Sequence, residues 1–327
     1  MEKLLEQIDK KRSIKKITLD TYGRNMRKMY KDMHEGKEFK NLSFLSDFNK
    51  VKKYLETLKA SVRKTRIATI LVFLRLNEDK NEKLIEKYSD YLNDEKSKYD
   101  SMIAENKKSK RQNDNWVSYK KLVKVQKKYQ NEIADQRMNA KGKKVLSNRQ
   151  KDLLNKFLVS SLYILHPPVR LGYAGMKVIS DSEYKKLSDE ELEDNSYLVV
   201  QGRNNKKFHF GKNTYKTGRK YGNDVKPVQK KLNSVLNIWL HYNPDSEYLL
   251  VGARGKPMSS NSLTKYIMKT FSPSGSDRIS SDMIRHILIS ENSDIQKLKT
   301  LQKKAEKLAD DMQHSTKEQQ STYYKDK

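Results

Sequence analysis

The sequence predicts a mainly α-helical protein with a small antiparallel β-sheet in its second half, preceded by a helical N-terminal domain. Apolar residues recur at helical spacing through the first ~90 residues and again beyond Pro227. Between these regions lie three short segments with strand-like composition, 176–179, 197–200 and 208–210, and the turn-forming Gly211 follows the last of them. A chain of 327 residues has room for two domains of ordinary size.

The first part of the chain, residues 1–90, is predicted to form a helical domain. Four residues recur at steps of four, three and four and so share one helix face: Tyr22, Met26, Met29 and Met33. Two further stripes follow behind the candidate N-cap Asp47: Val51, Tyr54, Leu55 and Leu58, then Ile67, Ile70, Leu71 and Leu74. The opposite faces are strongly basic, so we expect this domain to direct lysines and arginines towards a partner.

Residues 91–143 are highly charged and poor in long apolar side chains, which indicates a charged linker or helical segment. Its basic cluster, 107–111, is open to three interpretations: a linker on a DNA backbone, a nuclear-import signal or a solvated loop. Trp116, Tyr119 and Leu122 indicate a short helix that docks on another part of the protein.

A second domain is predicted over residues 144–327. Ser147 and Gln150 have the spacing of a capping box and mark the start of a helix. Pro167 and Pro168 end that helix, because proline lacks the backbone N–H that a helix interior needs. After the strand-like segments, the pattern returns to helix through Asp311.

The charge of the chain indicates the class of its partner. Lysine and arginine number 69 against 41 aspartates and glutamates, a formal net charge of +28. Such an excess attracts polyanions and gains affinity by releasing their counterions, so nucleic acid is the favoured partner over a merely basic protein without one. A membrane-surface role is less favoured, since the basic residues are spread along the chain rather than gathered on one amphipathic helix.

Several classes of site are excluded by composition. The chain has no cysteine, which excludes disulfides, cysteine nucleophiles and cysteine–zinc sites and fits a reducing, intracellular compartment. Neither a phosphate-binding Gly-x-x-x-x-Gly-Lys motif nor His-Glu-x-x-His is present, so no cofactor or metal is expected. The chain has no signal peptide pattern and no apolar run of membrane-spanning length, so no membrane partner is expected.

Five polar residues occur in an order that points to one kind of chemistry. Arg170 follows the two prolines, and Lys216 lies in a Tyr-Lys-Thr-Gly segment after the last strand. Arg285 belongs to an Ile-Arg-His box on a predicted helix, His314 to a Met-Gln-His-Ser box, and Tyr323 follows His314 by nine residues.

This ordered set resembles the tyrosine recombinase, or phage-integrase, family. The Pro-Pro-x-Arg and Tyr-Lys-Thr segments are most similar to integrases of large eukaryotic DNA viruses, virophages and related mobile elements. The resemblance covers about residues 145 to 327 and extends weakly to the N-terminal helices, which look like the family's core-binding domain.

The resemblance implies site-specific recombination through a covalent 3′-phosphotyrosyl intermediate, without metal or ATP. It makes Arg170, Lys216, Arg285, His314 and Tyr323 the catalytic residues. It also implies two domains that close around double-stranded DNA, a homotetramer on two DNA sites, and action in the cytoplasm or nucleus of a host cell if the origin is viral.

Two positions depart from the family pattern. Asp282 occupies the place of a histidine three residues before the second arginine, and Gln313 occupies a place where glycine is common. Spacing favours Tyr323 over the adjacent Tyr324 as the nucleophile. We expect His286 to be a helix-packing residue beside Arg285, and a carboxylate partner for Arg285 is the alternative to its catalytic role.

Two rival functions remain open. A type IB topoisomerase uses the same chemistry to relax DNA as a monomer, although the hairpin lysine and the His-Ser box favour a recombinase. A catalytically degenerate relative that only binds DNA is the second rival, and Asp282 is its best support.

Overall fold

The computed structural model describes residues 1–12, 14–105, 107–138, 145–252, 255–272, 275, 277–313 and 315–318. The protein is mainly helical with a small four-stranded sheet in its C-terminal half, which confirms the predicted fold class except for the strand directions discussed below. The chain divides into two compact units, residues 1–108 and 109–327, each with a hydrophobic core of its own.

The first unit consists of helices. Met26 and Met29 are fully buried and Tyr22 and Met33 are partly buried, as the predicted stripe requires. Asp47 caps its helix by accepting a hydrogen bond from the backbone N–H of Lys50 at 3.0 Å. The helices are α1 (Glu2–Arg12), α2 (Lys16–Met33), α3 (Phe48–Glu56), α4 (Ala60–Leu74) and α5 (Glu78–Ala104).

Helix α5 continues past residue 90, where the sequence analysis ends the N-terminal domain. Its inward face stays anchored over this length: Tyr88 and Tyr91 are buried in the core of the first unit. One turn further on, the Glu95 carboxylate is 4% exposed and accepts a hydrogen bond from Nη1 of Arg63 at 2.7 Å. These contacts hold the helix to the first unit although almost half of its residues are charged.

The rest of the segment expected as a charged linker belongs to the second unit. It forms α6 (Lys110–Asn115) and α7 (Tyr119–Asp135), and α7 packs along the first long helix of the next domain. Leu122, Tyr129 and Ile133 are buried in the core of that unit, and the Tyr129 hydroxyl donates to the carbonyl of Thr270 at 2.9 Å. A few apolar side chains at helical spacing are enough for docking, because the charged residues between them face solvent.

The second unit continues with α8 (Asn148–Ile164), whose predicted capping box is present. The backbone N–H of Ser147 donates to Oε1 of Gln150 at 3.1 Å, and the N–H of Gln150 donates to Oγ of Ser147 at 3.3 Å. The remaining elements are β1 (Lys177–Ser180), α9 (Asp181–Tyr184), α10 (Asp189–Asp194), β2 (Ser196–Val200), β3 (Lys206–Phe210), α11 (Gly218–Tyr221), β4 (Asp224–Pro227), α12 (Lys230–Tyr242), α13 (Ser260–Phe271), α14 (Ser281–Ser290), α15 (Ser293–Asp311) and α16 (Thr316–Glu318).

The sheet is mixed, so the expectation of a purely antiparallel sheet is wrong. Its strand order is β1-β2-β3-β4; β2–β3 and β3–β4 are antiparallel, whereas β1–β2 is parallel with Val178 opposite Leu198. The reason is the connection 181–195, which contains α9 and α10 and carries the chain back to the start of the sheet, as a parallel pair requires. Strand β4 was not predicted; it ends in Pro227, a residue tolerated in edge strands.

The core of the second unit lies between the sheet and the helices. Leu158 of α8, Leu198 of β2, Phe208 of β3, Leu236 of α12 and Ile284 of α14 are all fully buried in one cluster. Among the helices of the described residues, none is long and apolar enough to cross a membrane.

Candidate functional site

Arg170 lies on a turn that is fastened to the core on both sides. Its own side chain is exposed, while its neighbours Val169 and Leu171 pack against the core of the second unit. The Tyr163 hydroxyl donates to the carbonyl of Arg170 at 2.7 Å. A Cβ on Gly172 would meet the ring of Phe210 at 2.9 Å, so the turn lies directly on β3 and only glycine fits there. The guanidinium therefore projects from a fixed main chain.

The support beneath this turn is aromatic. Tyr163 and Tyr173 are almost fully buried, with ring centroids 5.7 Å apart, and Tyr173 contacts Phe208 at 5.3 Å. Burial raises the pKa of Tyr163 and Tyr173, so both hydroxyls stay protonated and neither is a candidate nucleophile. Burial also lowers the pKa of His166, which contacts Phe208 edge-on and is neutral at physiological pH. These aromatic side chains therefore support the Arg170 turn structurally and are not expected to take part in the chemistry.

Lys216 lies on the connection between β3 and β4, which confirms the expected hairpin position. The connection is braced from within: the Tyr215 hydroxyl donates to the carbonyl of Gly222, and the N–H of Lys212 donates to Oδ1 of Asn223 at 2.8 Å. Gly218 packs against the main chain of Lys212, where a side chain would have no space. A turn tied in this way presents its exposed residues at defined positions.

The ammonium groups around Lys216 differ in what they contact. Lys212 pairs with Glu193, and Lys220 lies 5.2 Å from the centre of the Tyr221 ring. Lys216 is exposed and makes no ion pair with any residue that the structure describes. Of the three lysines, it is the one whose amine is not engaged by a described neighbour.

Arg285 lies on α14 between the fully buried Ile284 and Ile287, and its side chain is 29% exposed. Its Nη1 is 3.3 Å from Oδ1 of Asp282, so Arg285 does have a carboxylate partner. Asp282 is 67% exposed, and a solvent-exposed pair of this kind is weak. A guanidinium has five N–H donors, and the Asp282 contact leaves most of this fork available to an anion.

The same carboxylate also contacts a histidine. Oδ2 of Asp282 is 3.5 Å from Nε2 of His286, whose side chain is 50% exposed. The expectation that His286 packs within the protein is therefore wrong: on α14 it follows Arg285 directly and points away from the face of Ile284 and Ile287. Asp282 thus holds the two side chains of the Arg-His pair on one exposed face of the helix.

His314, Tyr323 and the alternative Tyr324 lie outside the described residues. The chain leading towards them is described: α15 ends at Asp311, and the N–H of Gln313 donates to the carbonyl of Asp310 at 3.0 Å. Gln313 has a φ of 56°, in the left-handed region that favours glycine. Glycine would adopt this conformation without strain, because it has no Cβ.

The three described candidates, Arg170, Lys216 and Arg285, all belong to the second unit and border one core. Residues adjacent to each of them, Leu171, Tyr215 and Ile284, are part of that core or pack against it. The three cationic side chains, of which Arg170 and Lys216 are exposed and Arg285 is partly exposed, are therefore carried by one unit, although they are up to 115 residues apart in the chain. Within the described ranges, no group of three or more histidine, aspartate or glutamate side chains could hold a metal ion.

Sequence reasoning missed the residues that support the site. Tyr163 falls within the helix predicted between Ser147 and Pro167, and nothing in its spacing indicates that its hydroxyl binds the Arg170 turn. Gly218 stands two residues after Lys216, and a glycine there was the available signal for close main-chain packing.

No family model, no curated protein and no solved structure matches this chain. The interpretation of the site therefore depends on its own residues and their geometry.

Proposed function

We propose that the protein is a site-specific DNA recombinase or integrase that cleaves and rejoins DNA through a covalent 3′-phosphotyrosyl intermediate. The observation that carries this proposal is the presence of Arg170, Lys216 and Arg285 as exposed or half-exposed cations around one core. They occur in the chain order that ends with His314 and, nine residues later, Tyr323.

The two arginines suit an anionic reaction centre. A phosphodiester is negatively charged, and attack by an oxygen builds further charge on the non-bridging oxygens. Guanidinium groups can bind these oxygens bidentately and cannot lose their protons. The Arg170 turn and α14 are both fixed to the core, so the main chain that carries the two guanidinium groups need not rearrange when DNA binds. This favours electrostatic stabilisation of a transition state.

The covalent step is a phosphoryl transfer. The phenolic oxygen of Tyr323 attacks phosphorus, the bond from phosphorus to the 5′ oxygen breaks, and Lys216 donates a proton to that leaving oxygen. His314 accepts the phenolic proton or donates a hydrogen bond to the phosphate. The products are a 3′-phosphotyrosyl strand and a free 5′ hydroxyl, and attack by a 5′ hydroxyl on the same phosphorus reverses the step. No ATP or metal enters this scheme.

Assembly into a homotetramer on two DNA sites is the second part of the proposal. One face of α15 and its C-terminal cap carries four large apolar side chains that are each 51% to 61% exposed: Leu298, Leu301, Leu308 and Met312. A contiguous exposed apolar stripe is typical of a protein interaction surface. A second copy of the chain is a suitable partner for it, since a recombinase must hold two sites together.

The two rivals differ from this proposal in measurable ways. A type IB topoisomerase forms the same covalent bond but needs one DNA and one subunit. A degenerate DNA-binding relative forms no covalent bond, and the ion pair between Asp282 and Arg285 is the feature that favours it. We propose that the reaction takes place in a reducing compartment of the cell, the cytoplasm or the nucleus. The grounds are that the chain has no cysteine and that its proposed substrate is DNA.

The test is covalent trapping of the protein on nicked suicide duplexes, in which the cleaved strand cannot be rejoined. The central region of these duplexes is randomised, because the amino-acid sequence does not reveal the DNA target sequence. The wild type is expected to form a covalent protein–DNA complex that survives denaturation, and Tyr323→Phe to abolish it while retaining DNA binding. Tyr324→Phe is the matched control and should still be trapped; the reverse pattern would move the nucleophile by one residue. Absence of trapping with the wild type would leave the DNA-binding relative, and trapping without pairing of two duplexes would leave the topoisomerase.

A further inference from the structure

The turn between β2 and β3, residues 201–205, is an exposed loop with a buried lysine beneath it. Its sequence is Gln-Gly-Arg-Asn-Asn, with one positive charge and no negative charge, and all five residues are exposed. Lys206, the first residue of β3, is only 2% exposed. Burying an ammonium group is costly, so a lysine in this position needs a structural reason.

Neutral oxygens surround the Lys206 ammonium. Nζ donates to the carbonyls of Gly202 at 3.3 Å and Arg203 at 2.9 Å, and to the side-chain Oδ1 of Asn233 at 2.9 Å and Asn237 at 2.7 Å. No carboxylate among the described residues pairs with it. Burial lowers the pKa of Lys206 to about 8, so the group remains protonated at neutral pH. The protonated Lys206 side chain therefore links the loop to α12, because it donates hydrogen bonds to both.

This arrangement determines where the N–H groups of the loop point. In a planar trans peptide the C=O and the following N–H point in opposite directions. Because the carbonyls of Gly202 and Arg203 turn inward to the ammonium, the N–H groups of Arg203 and Asn204 turn outward, and no described residue accepts a hydrogen bond from either. The Arg203 carbonyl is held twice, since Nδ2 of Asn233 also donates to it at 3.0 Å.

Helix α12 adds a further cation on the same side. Lys230, Asn233 and Asn237 are spaced three and four residues apart, so they share one helix face, and both asparagines contact the loop or its lysine. Lys230 is exposed, and the first turn of α12 has no acidic residue. The turn thus presents the Arg203 guanidinium and two outward N–H groups, and the face of α12 that contacts the turn also carries Lys230. Among the described residues, one carboxylate contacts the turn: Oδ1 of Asp181 accepts a hydrogen bond from Nε2 of Gln201 at 2.8 Å, two residues before Arg203.

We propose that the β2–β3 turn is a preformed contact for a DNA backbone phosphate, with Arg203 as the contacting residue and Lys206 as the positioning residue. This inference rests on the proposed function for the identity of the anion. The turn lies at the end of β3 opposite to the connection that carries Lys216. Four residue steps along β3 span about 13 Å, which corresponds to about four base pairs of DNA. The turn holds the duplex without touching the reacting phosphate.

The test is the salt dependence of binding to a 30-base-pair duplex of mixed sequence, which needs neither a target site nor cleavage. Arg203→Gln is expected to lower the slope of log K against log salt by about 0.9, the contribution of one phosphate contact. Arg149→Gln is the matched control, an identical change at an exposed arginine in the first turn of α8. Arg149 lies about 24 Å from the C-terminal end of α8, the end that leads to Arg170. The control should keep the wild-type slope.

The positioning role of Lys206 requires a second comparison. In a Lys206→Met background the loop loses its anchor, so Arg203→Gln should lower the slope by much less than 0.9. Asn237→Ala, which removes one acceptor from the side of α12 and is milder for folding, should weaken the Arg203 effect in the same direction. Equal slopes for Arg203→Gln and Arg149→Gln would overturn the contact, and an unchanged Arg203 effect in both backgrounds would overturn the positioning role.

These outcomes are separate from the fate of the proposed function. Wild-type protein that binds the duplex but is never trapped covalently would refute the recombinase and leave the loop contact standing. Wild-type protein that does not bind duplex DNA would refute both.

Discussion

Gly218 offers the sharpest test of how the turn that carries Lys216 is built. A Cβ at this position would lie 1.8 Å from the main-chain oxygen of Lys212 and 2.5 Å from its carbonyl carbon. Nonbonded atoms are most stable at about 3.5 to 4.0 Å. Since the obstacle is main chain and not the end of a flexible side chain, Gly218→Ala must displace the turn. That displacement moves Lys216, two residues away.

The size of the effect follows from what holds Lys212 in place. Its N–H is bound to Asn223, its ammonium pairs with Glu193, and the N–H of Gly222 donates to the carbonyl of Gly218 at 2.7 Å. Overpacking commonly costs 1 to 3 kcal/mol, and we expect the upper end, about 3 kcal/mol in the free energy of unfolding. For a unit of this size each kcal/mol shifts Tm by about 2 to 4 °C, which gives a fall of about 6 to 12 °C.

Two assays measure the consequence. Thermal unfolding reports stability, and cleavage of nicked suicide duplexes reports the position of Lys216; we expect the cleavage rate of Gly218→Ala to fall as far as that of Lys216→Ala. Gly252→Ala is the control, because a Cβ there would meet its nearest atoms at 3.6 and 3.8 Å, which is ordinary contact. If Gly218→Ala unfolds at the temperature of Gly252→Ala and cleaves like the wild type, the turn is not packed as described and this reasoning fails.

Four further outcomes are expected. Arg170→Ala and Arg285→Ala should each slow cleavage by about 10²- to 10³-fold with much smaller losses in DNA affinity; equal losses in both would assign them to ordinary backbone contacts. Lys216→Ala should be slow on normal DNA but largely rescued on a 5′-bridging phosphorothioate, whose thiolate leaves without an acid; equal rates on both substrates would exclude Lys216 as the general acid. Asp282→Asn should change the free energy of unfolding by no more than about 1 kcal/mol and should slow cleavage less than Arg285→Ala does. If the cleavage rate of Asp282→Asn fell as far as that of Arg285→Ala, Asp282 would have a role of its own in the chemistry. Gln313→Gly should raise the free energy of unfolding by about 1 kcal/mol by relieving a left-handed residue, and an unchanged or lower Tm would contradict this.

The parts of the fold predicted from sequence are those governed by near neighbours. The caps at Asp47 and Ser147 and the buried stripe of α2 depend on side chains three or four residues apart, and each is present in the structure. The ion pair of Asp282 with Arg285 is of the same local kind. Strand β4 and the parallel pairing of β1 with β2 were missed, because each depends on a partner distant in the chain. The docking of a helix at Tyr119 and Leu122 was predicted, but its partner α8 was not identified, for the same reason.

The sequence by itself determined the helical class, the basic charge and the order Arg170, Lys216, Arg285, His314, Tyr323, since composition, period and spacing are properties of the chain alone. Only the tertiary structure decided that a lysine at the start of β3 is buried while Lys216 is exposed and free of described ion pairs. Two lysines ten residues apart look alike in sequence. Their difference arises from α12, which supplies two asparagine oxygens to Lys206, and such acceptors converge only when distant segments pack together.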